Sequence, residues 1–99
     1  MSAQVHQLPL SRDQRAIAEL YVSLLEGIPG PISVWVVNED GLLHFYTLVP
    51  VGRDNLRAVF RAEYELMGRT DPYRLDFDVS ENPEIARMVF ANQPSFYHR

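Results

Sequence analysis

Cysteine is missing from this 99-residue chain, and so is lysine. The first absence removes disulfides, a thiol nucleophile and thiolate zinc sites, and leaves the redox compartment open. The second leaves nine arginines to face thirteen aspartates and glutamates, for a formal charge of −4. That balance repels a phosphate backbone, so nucleic acid is not the expected partner, and base stacking on Trp35 and Tyr46 is disfavoured for the same reason. Long apolar runs are lacking too. Pro31 to Val37 is the longest, far short of the roughly 20 residues of a spanning helix. Residues 1–15 carry no run of signal-peptide length, so no membrane and a cytoplasmic location are expected. No glycine-rich phosphate loop appears, since Gly27-Ile28-Pro29-Gly30 reads as punctuation, and no serine sits in a Gly-x-Ser-x-Gly elbow. Repeats and linkers are absent as well. What is present is 46% hydrophobic and 22% charged, an ordinary globular mix at the size of one domain.

Periodicity predicts an α-β-β-α-β-α order after a loose leader over residues 1–9. Ser11 and Gln14 form a capping box that opens a helix, and Ile17, Leu20, Tyr21, Leu24 and Leu25 make its apolar stripe. Gly27 and the Pro29-Gly30-Pro31 run end it. Ile32 to Val37 reads as a strand apolar on both faces, hence interior. Asn38-Glu39-Asp40-Gly41 turns the chain into a return strand, Leu42 to Val49. A second helix is expected from Asp54, as N-cap, to Met67, with Leu56, Val59, Phe60, Tyr64 and Met67 buried and Gly68 as its stop. Tyr73 to Val79 alternates as a half-buried strand. Asn82-Pro83 starts a third helix with Ile85, Met88 and Val89 inward, ending before Pro94. Ser95 to Arg99 is left as a tail that docks through Phe96 and Tyr97.

The fold class is therefore α+β, with a three-stranded mixed sheet packed against helices. The third strand should run parallel to the second, and a central first strand gives the order 2-1-3. The two longer helices are expected on one face, and the last helix at an edge or partly over the other side.

Strand parity then sorts side chains. With Tyr73, Leu75 and Phe77 toward the helices, the far face carries Trp35, His44, Tyr46, Arg74, Asp76 and Asp78. This is the candidate partner or ligand face, set against a solvated sheet face with ordinary cross-strand pairs. Trp35 favours the first, because a large exposed aromatic usually has something covering it. Asp76 and Asp78 point the same way and are weak candidates for a divalent cation, unless Arg74 neutralises Asp76. Arg53, Arg57 and Arg61 share one side of the second helix, two of them near its N-terminus, and are anion-binding candidates. The alternative there is a solvated row with an Arg61–Glu65 pair. His6, His44 and His98 are too dispersed for a zinc site.

The segment from Leu75 to Tyr97, an acidic strand followed by a short helix and a final aromatic, resembles the end of minimal nucleotidyltransferase domains, and the helix–hairpin–helix layout before it is also similar. Membership would imply a Gly-Ser after the first strand and an Asp-x-Asp on the second, holding phosphates and two magnesium ions. Here the turn reads Val37-Asn38-Glu39-Asp40-Gly41 and the second strand His44-Phe45-Tyr46, and only Asp76 matches a carboxylate position. The resemblance thus implies a scaffold without nucleotidyl transfer, since one carboxylate cannot assemble a two-metal clamp.

No catalytic constellation is complete. The expected function is binding of a protein partner, a homodimer in particular, with no cofactor. The alternative is a nucleotide- or anion-binding domain using Asp76, Asp78, Arg53 and Arg57 with Mg²⁺.

Overall fold

A computed structural model describes residues 9–70 and 73–99. Apart from Pro9, the expected leader lies outside the described residues, as does His6. The elements are α1 (Arg12–Leu24), β1 (Ser33–Glu39), β2 (Leu42–Leu48), α2 (Arg53–Thr70), β3 (Leu75–Ser80), α3 (Pro83–Val89) and β4 (Tyr97–His98). The order is as expected up to α3, but the tail adds a fourth strand.

The sheet runs β3-β2-β1-β4. β1 and β2 are antiparallel, with Glu39 opposite Leu42. Asp40 and Gly41 alone make the turn, both at positive φ (53° and 89°), the two-residue geometry that suits strand twist. The side chain of Asn38 accepts from the Gly41 N–H and donates to Gln14 Oε1. Gln14 also closes the capping box with Ser11, so the start of α1 is tied to the hairpin.

β2 and β3 pair in parallel, as expected, with Phe45 opposite Phe77. The expected order 2-1-3 is corrected: β3 lies beside β2, not β1. The reason is at the C-terminus. β1 remains interior, but its second edge is taken by β4, through Phe96 N to Val34 O, and through Arg99 and Ile32 exchanging both backbone bonds. The Arg99 guanidinium clamps this strand by donating to the carbonyls of Ile28 and Gly30.

One face of the sheet packs on α1 and α2. Its centre is aromatic: Tyr21, Phe45 and Phe77 lie with ring centroids 4.9–5.7 Å apart. The buried Tyr21 hydroxyl meets Thr47 Oγ1 at 2.6 Å, which satisfies both groups, and burial drives the phenol pKa upward. α2 buries Val59, as expected, but with Ala62, Leu66 and Thr70 as its companions. Phe60, Tyr64 and Met67 are exposed and Leu56 is half-buried, so the helix is rotated from the expected setting. α2 also starts at Arg53, so Asp54 lies in its first turn and is not its N-cap, and the helix passes through Gly68 to Thr70. Glycine lowers helix propensity without forbidding a helix whose other face is buried.

α3 begins where expected, with Asn82 accepting from the Glu84 N–H and Pro83 in the first turn. Its packing is reversed: Ala86 is buried, while Ile85, Met88 and Val89 face solvent. Tyr73 is another correction. It precedes β3, is exposed, and donates its hydroxyl to Asp13 in the first turn of α1. No helix among the described residues is long and apolar enough to cross a membrane.

Candidate functional site

Strand register assembles the far sheet face row by row. Trp35, Tyr46 and Asp78 form one row, and Val37, His44 and Asp76 the next. Five of the six expected residues, Trp35, His44, Tyr46, Asp76 and Asp78, therefore share this face. Arg74 lies just before β3, exposed, and makes no ion pair among those found in the described residues.

The aromatic half of the face is covered from within. Phe90, capping the end of α3, stacks on Trp35 at 4.8 Å and 10°, and meets Tyr46 edge-on at 5.0 Å. The indole N–H donates to the Gln93 carbonyl at 3.3 Å. Trp35 and Tyr46 thus have an intramolecular partner, while Trp35 stays half-buried and lines an open groove of about 260 Å³ with Phe90 and Pro83. The sequence signal was available: Ala86 and Phe90 are spaced i, i+4, the inward face of α3.

The acidic half is open. His44 lies between two exposed carboxylates, with Nδ1 at 3.0 Å from Asp76 Oδ2 and Nε2 at 2.9 Å from Asp78 Oδ2. The Nδ1 contact has hydrogen-bond geometry, and the Nε2 contact is a close approach of the second carboxylate. His44, rather than Arg74, is the partner of Asp76. Among the described residues, no group of three His, Asp or Glu side chains is arranged to hold a metal ion.

Glu63 on α2 is a residue that sequence reasoning missed. Its Oε2 is buried without a hydrogen-bond partner. Burial, and after it the Asp78 charge, pushes the Glu63 carboxyl up from an ordinary 4.5 to about 7. The signal appears once the true stripe of α2 is known, because Glu63 is i+4 from Val59 and i−3 from Leu66 and flanks the buried face.

The arginine row does not converge. Arg53 lines a cleft of about 540 Å³ between the Gly27–Pro29 turn and the start of α2, together with Asp54. Arg61 lines an adjoining cleft of about 220 Å³, which shares Gly27, Ile28 and Ala58 with the first and also holds Glu65, and Arg57 lines neither. Each cleft thus carries an acid beside its arginine, so the positive field is divided. The expected Arg61–Glu65 pair is replaced by Arg69–Glu65, at 2.6 Å.

A third groove, of about 400 Å³, has apolar walls that include Leu48, Val51 and Pro83. The cross-strand pair Ser33 and His98 lines it, with Oγ 2.7 Å from Nδ1. Glu81 lines it too, but its carboxylate accepts the Gly52 N–H. Among the described residues, no carboxylate is bonded to the His98 ring, the third member that a hydrolytic triad needs.

Compared with protein-family models, curated proteins and solved structures, this chain matches none.

Proposed function

We propose that this chain is a small non-catalytic α+β protein that acts by binding protein partners, including a second copy of itself. The observation that carries the reading is the set of large apolar side chains that the fold turns to solvent. On α2 these are Phe60, Tyr64 and Met67, with Tyr64 79% exposed. On α3 they are Ile85, Met88 and Val89, with Met88 81% exposed. Single exposed apolar residues are ordinary, but grouped ones at helical spacing mark interaction surfaces. Aromatic and methionine side chains are the types enriched at such interfaces.

The site chemistry supports the same reading. The two carboxylates that the alternative would give to magnesium both lie against His44, and of the arginines that it would give to phosphate, Arg53 lines a cleft beside Asp54 while Arg57 does not. The surface expected from the sequence moves, from the Trp35 face of the sheet to the outer faces of the helices.

Size-exclusion chromatography with light scattering, run over a range of concentrations, tests the self-association. The expected result is a mass that climbs from monomer toward dimer. A constant monomer mass throughout would remove self-association from the reading.

A further inference from the structure

The outer face of α2 has a composition of its own. Phe60, Tyr64 and Gly68 recur at i, i+4 and i+8, with Met67 beside them. Among the described residues, nothing packs on Gly68. It lies inside the helix, outside the left-handed region, and a Cβ built there would meet nothing within 4 Å. Gly68 lies in the last turn of α2 and no positive φ or close approach by a described residue requires it, so the space above it is open to something from outside. What it leaves is a notch next to two exposed aromatics.

We propose that α2 pairs antiparallel with α2 of a second copy, about a twofold axis at Tyr64, so that Phe60 of each copy seats over Gly68 of the other. This rests on the self-association reading above and names its surface and register. Antiparallel pairing about that axis places Tyr64 against Tyr64. Positions equally far before and after it face each other, so Phe60, four residues before, meets Gly68, four residues after. The ring fills the space that the missing side chain leaves.

Charge agrees with this register. Arg61 and Glu65 lie on one flank of the helix, one turn apart. A twofold axis across the helix pair keeps each flank on its own side. Arg61 of one copy then comes within about two residues' rise of Glu65 of the other, or about 3 Å along the axis, and the contact occurs twice. A parallel pairing would set Arg57, which lies near the line of Tyr64, against Arg57, and would part Arg61 from Glu65 by exchanging the flanks. The second copy is thus favoured over an unrelated helix by both shape and charge.

The 18 residues of α2 span about 27 Å. A single helix pair of that length buries less than the roughly 800 Å² per partner of a standard interface, so the dimer is weak and the test needs high concentration.

Sedimentation equilibrium of the full chain, up to about 0.5 mM, reads the dimer dissociation constant. Gly68→Leu fills the notch and Tyr64→Glu sets two carboxylates together on the axis. Each is expected to weaken the dimer by about tenfold or more. Arg87→Gln, at an exposed position of α3 outside its apolar group, is expected to leave it unchanged. Circular dichroism checks that each variant is folded, and both α2 positions are exposed in the monomer. A dimer that survives Gly68→Leu and Tyr64→Glu overturns this inference and leaves self-association standing. A dimer sensitive to Tyr64→Glu but not to Gly68→Leu overturns the register. A monomer at every concentration overturns both the inference and the self-association on which it rests.

Discussion

Glu63 is where a single side chain works against the fold. Its carboxyl is pushed up to about 7 because burial disfavours the charged form and Asp78 repels it. Burial raises the Tyr21 phenol on α1 too, the Glu63 charge adds to that rise, and His44 lies against Asp78 on the far face of the sheet. The sign follows from linkage. The folded-state value lies above the ordinary 4.5, so the contribution of Glu63 to stability is fully present below about pH 4.5 and is lost as pH rises through about 7. Glu63→Gln keeps the shape and cannot ionise. Thermal melts should show the variant matching the parent near pH 4.5 and exceeding it at pH 8, with the gap opening between. A constant gap at both pH values would mean that packing, not ionisation, separates the two. No periodicity rule flags this residue, because a glutamate on the flank of an amphipathic helix reads as solvated until the rotation of that helix is known.

At the scale of elements, what could be read from the sequence was whatever local chemistry dictates. The Ser11–Gln14 capping box, the Asp40-Gly41 turn and the Asn82-Pro83 start each fix a backbone geometry through neighbouring residues, and each is found in place. Parity along β1, β2 and β3 likewise put Trp35, His44, Tyr46, Asp76 and Asp78 on one face. What could not be read depended on competition for space. Phe60, Tyr64 and Met67 fit a helical stripe as well as Val59, Ala62 and Leu66 do, and it is the second set that packs into one core with Tyr21 and Phe45. Strand order was lost for a similar reason, since two residues of tail, Tyr97 and His98, carry too little pattern to announce the strand that occupies the edge of β1. Two measurements test the elements directly. Trp35 is the only tryptophan, so its emission reports the cover that α3 provides. Phe90→Ala should shift that emission to the red with little change in far-UV circular dichroism. Gly68→Ala, in dilute protein where the monomer prevails, should raise unfolding free energy by about 1 kcal/mol, the ordinary helix-propensity difference.

For the whole molecule, the outward faces of α2 and α3 are a liability unless something covers them. Exposed apolar area gains roughly 25 cal/mol per Å² when it leaves water, against the entropy of joining two bodies. That balance makes association depend on concentration, and it couples association to folding, because a dimer built from the native face of α2 binds only folded chains. By mass action such binding stabilises the native state in proportion to how far the concentration exceeds the dissociation constant. The melting temperature of the parent chain should therefore rise as protein concentration is raised through the dissociation constant. Tyr64→Glu should flatten this dependence while leaving the melting temperature of the most dilute sample nearly unchanged, since Tyr64 is 79% exposed and contributes little to the packing of the monomer. If the variant instead melts lower at every concentration by the same amount, Tyr64 acts within the monomer and the exposed face of α2 is not what joins the copies. Scanning calorimetry over a hundredfold range of concentration separates these outcomes, because a tenfold step within the dimer regime moves the native-state free energy by about 1.4 kcal/mol per dimer.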